Sequence, residues 1–245
     1  MHTSSLEYLG LVPDTIATNP RRRAFMVDET KLAEMLCTRL CHDLTGPIGA
    51  VNNGAEFLEE EGFEMQNEAM QLVLSSALEA VNRLQFYRQA YGRVGESGEA
   101  SITEKKQLAE AFFSSTKITL DWPDSHTDAS GISISQKMAR LILNLLIIAG
   151  ASLIRGGVIK VRIVEENGNK HISLVAEGQT IKMDDETLAL LGGDVTAPLT
   201  PKLAQIFLTM HIASDIGADL NVEKTDQSLI LSAKQHAPAN ASALM

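Results

Sequence analysis

Apolar residues recur every three or four positions over two long stretches near the amino terminus, and every second position over several short stretches in the second half. The first rhythm belongs to helices with one buried stripe, the second to strands with one buried face. Asp28 to Glu60 predicts a long helix, with Asp28 at its N-cap and Gly62 beyond its end. At about 100° per residue, with His42 set to zero, Leu36, Leu40, Leu44, Ile48, Val51 and Leu58 fall at roughly 120° to 240°. The apolar stripe therefore lies opposite His42. Pro47 removes an amide donor and predicts a kink one turn after His42. Asn67 to Tyr91 predicts a second helix, with Met70, Val73, Ala77, Val81 and Leu84 spaced by three and four. Two such helices joined by a short turn form an antiparallel hairpin. One hairpin alone buries two stripes poorly, so a second copy is expected to complete a four-helix bundle. The alternative is that the stripe packs on the rest of the chain.

Gly92, Gly95, Ser97 and Gly98 read as a connector. Beyond it, Leu108 to Ser115 predicts a short helix and Lys117 to Trp122 a strand. Ser135 is placed to cap an almost wholly apolar helix reaching about Leu153 and ended by Gly156-Gly157. Val158 to Glu165 and His171 to Ala176 alternate as strands around Asn167-Gly168, a strong hairpin signal. Asp184 to Leu191 and Leu203 to Ile216, stopped by Gly217, predict helices; Asp219 to Lys224 and Ser228 to Lys234 predict strands. The fold class is α+β: a helical hairpin followed by an α/β sandwich. The expected segments are a flexible tail over 1–27, the hairpin over 28–95, a linker over 96–102, the α/β domain over 103–235 and a disordered tail over 236–245.

At 245 residues and 44% apolar content, the chain has enough material for two modest cores. A net charge of −10 argues against nonspecific binding to nucleic acid or an anionic membrane. The short basic run Arg21-Arg22-Arg23 reads as part of a solvated tail. The most apolar stretch, Leu141 to Ile154, is shorter than the roughly 20 residues of a spanning helix. Residues 1–27 contain no continuous apolar core of a secretory signal. A cytoplasmic protein is expected. Its two cysteines, Cys37 and Cys41, fit a reducing compartment. With His42 they do not make a metal site, because His42 projects about 100° from Cys41 and no further cysteine exists.

The face around His42 holds the candidate chemistry. Met35, Thr38, Arg39, Gly46, Gly49 and Asn53 lie within roughly 60° of it. Two of them are glycines, each costing about 1 kcal/mol relative to alanine inside a helix. They either keep bulk away from His42 or mark a helix end beside an ordinary surface histidine. Asp43 either acts on His42 or faces solvent. Arg39 either offsets charge brought to His42 or pairs with a carboxylate such as Asp43 or Glu34. His126, His171, His211, His2 and His236 read as structural or incidental.

His42-Asp43-Leu44-Thr45-Gly46-Pro47-Ile48 resembles the H-box of two-component histidine kinases, with His42 at the phosphorylated histidine, Asp43 at the following acid and Pro47 at the kinking proline. Thr45 and Gly46 depart from the pattern. More closely, Leu40 to Pro47 looks like the ChpT-type histidine phosphotransferases of alphaproteobacterial cell-cycle phosphorelays, a resemblance extending over roughly residues 30 to 235. It implies that the second domain is a kinase ATPase fold in degenerate form. Asn144-Leu145-Leu146-Ile147-Ile148-Ala149 keeps the N-box frame but has Ile148 where the second Asn belongs. Ala176-Glu177-Gly178-Gln179-Thr180 aligns with the Asp-x-Gly-x-Gly box, with Ala176 replacing the Asp and Thr180 the second Gly. No glycine-rich phosphate loop precedes Ile206.

The resemblance implies a phosphotransferase that takes a phosphoryl group on His42 from the aspartate of a hybrid-kinase receiver domain and passes it to response regulators. It implies no ATP, no cofactor and no metal on this chain, Mg²⁺ belonging to the receiver. Asp43 would orient and activate His42, and Thr38, Arg39, Gly46, Gly49 and Asn53 would meet the partner. Gly46 lacks a side chain to orient a hydrolytic water, which implies weak phosphatase activity. The competing readings are a noncatalytic scaffold that binds receivers and an ATP-using kinase with divergent boxes.

Overall fold

The computed structural model describes residues 28–59, 66–92, 98–194 and 196–237. The expected tail over 1–27, the Gly62 stop, most of the glycine connector and the end of the chain from residue 238 lie outside the described residues. Helix α1 spans Glu29–Glu59 and α2 spans Gln66–Tyr91. Asp28 caps α1, its Oδ1 accepting from Thr30 N and Lys31 N at 3.1 Å each.

The hairpin's inner face is rotated from the stripe expected for α1. Leu32, Leu36, Pro47 and Gly54 are buried, whereas Ile48 is 57% exposed. Gly54 shows why: a Cβ there would meet Val73 Cγ2 at 2.7 Å and Ala69 O at 3.2 Å, so the helices close at this glycine. On α2 the buried positions are Ala69, Ser76, Phe86, Tyr87 and Ala90. Met70, Leu74, Leu78, Val81 and Leu84 form a row 45–60% exposed. Three of those five belong to the apolar stripe expected from spacing; the single chain leaves them uncovered.

The second half opens earlier than its sequence rhythm indicates. Glu99 and Ala100, expected in a linker, form β1 and pair with Ser135 and Ile134 of β3 (Ile134–Ser135). Helix α3 covers Ile102–Phe113, six residues ahead of the expected start. Ser101 caps it by accepting from Glu104 N, and Asp128 takes Ile102 N at 2.7 Å and Ser101 Oγ at 2.6 Å. Ser101-x-x-Glu104 is a capping pattern whose apolar run begins at once, which the spacing around Leu108 hides.

The remaining elements are β2 (Ile118–Asp121), α4 (Gln136–Ser152), β4 (Gly157–Glu166), β5 (Asn169–Glu177), α5 (Asp185–Leu191), α6 (Ala204–Asp215), β6 (Ala218–Lys224) and β7 (Ser228–Gln235). The larger sheet runs β2-β4-β5-β7-β6, with β2–β4 parallel and the other pairs antiparallel. Asn167 and Gly168 turn β4 into β5 at φ of 52° and 76°, the left-handed conformation their types tolerate. Alternate residues of β4, β5 and β7 are buried beneath α4 and α6, giving a two-layer sandwich. Ser135 caps α4 through Met138 N at 3.1 Å. Leu141, Ile142, Leu145 and Leu146 are fully buried, each contributing about 1.5–3 kcal/mol.

The hairpin also enters this core. Leu32 and Leu36 of α1 and Phe86, Tyr87 and Ala90 of α2 join the same cluster as α4 and α6. The two expected fates of the hairpin's apolar residues therefore divide along its length: the proximal end packs on the α/β domain, and the distal end does not. His236 and Ala237, expected in the tail, meet the sheet: His236 Nε2 lies 3.1 Å from Asp219 Oδ2, and Ala237 N donates to Asn169 Oδ1 at 2.9 Å.

Candidate functional site

His42 lies midway along α1 with its side chain 86% exposed, while Asp43 beside it is 22% exposed. His42 Nδ1 stands 3.2 Å from Asp43 Oδ1. An ionised carboxylate only accepts, so this contact places the proton on Nδ1 and leaves the Nε2 lone pair bare toward solvent. Asp43 therefore faces His42 rather than open solvent.

Asp43 is held from α2. Tyr87 OH donates to Asp43 Oδ2 at 2.6 Å. Arg83 Nη1 donates to the main-chain carbonyl of Asp43 at 3.3 Å. That carbonyl would bond the amide four residues on, which is Pro47 and has no N–H. The guanidinium supplies the missing donor. Arg83 is itself fixed by Glu79, whose Oε1 accepts from its Nε at 2.9 Å and Nη2 at 2.6 Å. Arg39 Nε lies 3.8 Å from Asp43 Oδ2, so of the two carboxylates considered for Arg39 it is Asp43 that it meets.

An open recess of about 320 Å³ adjoins the histidine, lined by His42, Asp43, Gly46, Pro47, Ala50, Ser76, Glu79 and Arg83. A Cβ built on Gly46 or Gly49 meets nothing within 4 Å, so both glycines lie inside the helix and keep that face low. Neither marks its end. Thr38 and Asn53 are exposed on the same helix; Thr38 Oγ1 donates back to Glu34 O at 2.9 Å. Met35, expected on the His42 face, instead packs against the core.

Sequence reading missed the α2 side of this site. Arg83, Tyr87 and Tyr91 recur every four residues, one polar-tipped row on one face. Burial and then the hydrogen bond to Asp43 push the Tyr87 phenol far above the ordinary range, and burial pushes Tyr91 up to about 12. Both stay protonated donors. Tyr87 stacks on Tyr91 at 5.1 Å and meets the edge of Phe112 at 5.6 Å.

Of the positions singled out as a degenerate nucleotide site, Asn144, Ile148 and Ala176 are buried. Asn144 is fully buried; its Nδ2 donates to Ala90 O and Arg140 O at 2.8 Å each, and its Oδ1 accepts from Gln205 Nε2 at 2.8 Å. Tyr91 OH donates to Gln205 Oε1 at 2.7 Å, so Asn144 belongs to a network joining α2, α4 and α6. Ile148 and Ala176 are buried and apolar. A Cβ on Gly178 would meet Leu153 Cδ2 at 2.8 Å and Gly156 O at 3.0 Å, so this glycine serves close packing, while Thr180 is exposed. A recess of about 150 Å³ beside Ile148 is lined by Arg39, Ser152, Lys182, Lys202 and Gln205 among others, and an open one of about 410 Å³ shares Ala151, Lys182, Met183 and Asp184 with it. Among the described residues, no group of three or more His, Cys, Asp or Glu side chains is arranged for a metal ion. Among them, too, no helix is long and apolar enough to cross a membrane.

Residues 102–228, over half of the chain, match the family described as histidine phosphotransferase C-terminal domain. A protein phosphotransferase ChpT of Brucella abortus (strain 2308) is 29% identical over 205 residues, covering 83% of this chain and 95% of that protein. A solved bacterial phosphotransferase aligns with a TM-score of 0.72 at 28% identity, over 85% of this chain and 98% of its own. With the family model matching over half of its length, the chain belongs to the histidine phosphotransferase family.

Proposed function

We propose that this protein carries a phosphoryl group on His42 between receiver domains of a phosphorelay. It accepts the group from a phospho-aspartate of a hybrid-kinase receiver and passes it to response-regulator receivers. The observation that carries this reading is the His42–Asp43 pair on an exposed helix face, with Nδ1 held by a carboxylate at 3.2 Å and Nε2 bare.

The chemistry follows from that pair. The Nε2 lone pair attacks phosphorus; the bond from phosphorus to the aspartyl oxygen breaks and its electrons return to the receiver's carboxylate. The new N–P bond leaves the ring cationic, because Nδ1 keeps its proton, and the Asp43 carboxylate offsets that charge. The reverse steps deliver the group to the next receiver. Mg²⁺ resides on the receiver, and this chain needs no cofactor of its own. Gly46 and Gly49 let a receiver's active-site loops approach the helix, beside Thr38, Arg39 and Asn53. With no side chain at position 46 to orient water, hydrolysis of the phosphohistidine is slow.

The reading includes no ATP binding and no autokinase activity. Its support is the Asn144 amide, fully engaged by Ala90, Arg140 and Gln205, and the buried apolar side chains of Ile148 and Ala176. The α/β domain instead borders the histidine through the recess at Arg39 and serves as a second surface for the receiver. The exposed row Met70, Leu74, Leu78, Val81 and Leu84 supports a homodimer, the second copy completing a four-helix bundle. The work is done in the cytoplasm, without nucleic acid or membrane.

The test is a transfer assay. A hybrid kinase with its receiver is labelled from radioactive ATP and mixed with wild type or His42→Ala. Acid-labile label on the wild type alone, dependent on the kinase, is the expected result. Label without the kinase would mean a live ATP site. Binding of receivers without label would leave a scaffold.

A further inference from the structure

We propose that Tyr87 is a positioning residue for the reaction at His42: its hydroxyl holds the Asp43 carboxylate in the one orientation that fixes the proton of His42 on Nδ1. The inference rests on the reading of His42 as the phosphoryl carrier and adds a residue from the other helix to its site.

Asp43 alone does not determine its own orientation. An aspartate on a helix surface rotates about two side-chain bonds, and its oxygens trade places freely in water. Here each oxygen has an assigned task. Oδ2 accepts from Tyr87 OH at 2.6 Å, a short charge-assisted bond, and Oδ1 is left to face His42 Nδ1 at 3.2 Å. The main chain beneath is pinned as well, because Arg83 Nη1 occupies the Asp43 carbonyl that Pro47 leaves without a donor. Asp43 is thus gripped from α2 at backbone and carboxylate.

Tyr87 is itself unable to swing away. Its ring stacks on Tyr91 at 5.1 Å, meets the edge of Phe112 at 5.6 Å, and lies buried in the core shared with the α/β domain. Tyr91 is in turn anchored by its hydroxyl to Gln205, which donates to Asn144. A rigid chain of contacts runs from buried α4 and α6 through the tyrosine pair to the exposed histidine. The domain that has lost its nucleotide chemistry thereby preorganises the nucleophile on the hairpin.

Tyr87→Phe keeps the ring and deletes only the hydroxyl. The Asp43 carboxylate then samples orientations that do not meet Nδ1, and His42 exchanges between its two tautomers. In ¹⁵N-histidine NMR of the unphosphorylated protein, the wild type is expected to show His42 predominantly protonated at Nδ1 at a pH where the ring is neutral. Tyr87→Phe is expected to show averaged shifts, with phosphoryl uptake from a labelled receiver slowed about 10-fold. Asp43→Asn is the comparator: its amide oxygen can still take the Tyr87 proton while its NH₂ donates to Nδ1, forcing the wrong tautomer, with a loss of about 10²–10⁴-fold. Adding Tyr87→Phe to Asp43→Asn is expected to slow uptake by less than about 2-fold further.

Unfolding midpoints of the variants separate positioning from stability: Tyr87→Phe must slow uptake at temperatures where it stays fully folded. Unchanged tautomer shifts and unchanged uptake in Tyr87→Phe would overturn the proposal, as would a full 10-fold effect persisting in the Asp43→Asn background. The tautomer measurement involves no phosphate. If His42→Ala still took up label while the Tyr87→Phe shifts moved as expected, the carrier reading would fail and the positioning contact would stand.

Discussion

Asn144 and His42 both lie in segments that resemble kinase motifs, and the molecule treats them in opposite ways. Asn144 is sealed among α2, α4 and α6, with its amide donating twice and accepting once. His42 is spent on one contact and faces solvent with the other nitrogen. The same division holds for their surroundings. Among the described residues no buried side-chain nitrogen or oxygen lacks a hydrogen-bond partner, whereas the distal hairpin leaves an apolar row and a glycine-cleared helix face uncovered. Polar groups closed on one another fix a geometry. Groups left open on a rigid support are accessible to a macromolecule. One domain supplies order, and the other spends it at a surface.

The strongest way to break the comparison is at the uncovered row. Leu78→Asp sets a carboxylate in its middle. If a second copy covers the row, the dimer dissociation constant should rise about 100-fold or more, equivalent to about 2.7 kcal/mol, in sedimentation equilibrium. The stability of the single chain should move by no more than about 0.5 kcal/mol, because Leu78 is already exposed there. An unchanged mass would remove the bundle from the account.

Next comes the sealed side. Asn144→Leu takes from Gln205 Nε2 its acceptor at 2.8 Å, leaving only Thr209 Oγ1 at 3.5 Å, while Ala90 O keeps Arg140 Nε at 3.0 Å; the expected loss is about 1–3 kcal/mol in all, read from urea unfolding. Under the proposed function, neither this variant nor the wild type should bind ATP detectably in calorimetry. Retained stability would mean that Asn144 is not structural.

The tyrosine brace between the two regions gives a pH signature. Unfolded tyrosine ionises near about pH 10. Burial holds Tyr91 up to about 12, and burial plus the Asp43 bond holds Tyr87 higher still. Below pH 10 both states keep these protons and the contribution is constant. As pH rises from 10 toward 12 the unfolded chain releases protons that the native chain retains, so stability should fall by up to about 1.4 kcal/mol per tyrosine per unit. Tyr87→Phe should remove its share of that slope. A flat profile from pH 9 to 11 would contradict the buried brace.

The smallest effect sharpens the open side. Gly46→Ala should stabilise α1 by about 1 kcal/mol, since its Cβ meets nothing. The same methyl should slow transfer to a receiver. A gain in stability with unchanged transfer would make Gly46 an ordinary helix position.

Much of the fold was legible because its signals are local. The Asp28 and Ser135 caps, the Asn167-Gly168 turn and the apolar run of α4 each set their own backbone within a few residues. What escaped is what depends on distant partners. The inner face of α1 is set by where Gly54 meets Val73 on α2, which no wheel of α1 alone contains. β1 exists only because β3 lies beside it, some 35 residues on. At the site, His42, Asp43 and the glycines were readable as neighbours on one helix. Tyr87 and Arg83 were not, being more than 39 residues away on the other. Two hints stood in the sequence: Pro47 four residues after Asp43 announces a carbonyl in need of a donor, and Arg83, Tyr87 and Tyr91 share one face of α2.

The central claim is that His42 carries the phosphoryl group on the nitrogen that Asp43 leaves free. It is tested most directly by ³¹P and ¹⁵N NMR of the protein labelled in histidine and phosphorylated from a phospho-receiver. A single phosphohistidine is expected, at His42, bonded through Nε2 with Nδ1 still protonated. Phosphate on Nδ1, or on any residue other than His42, would contradict it.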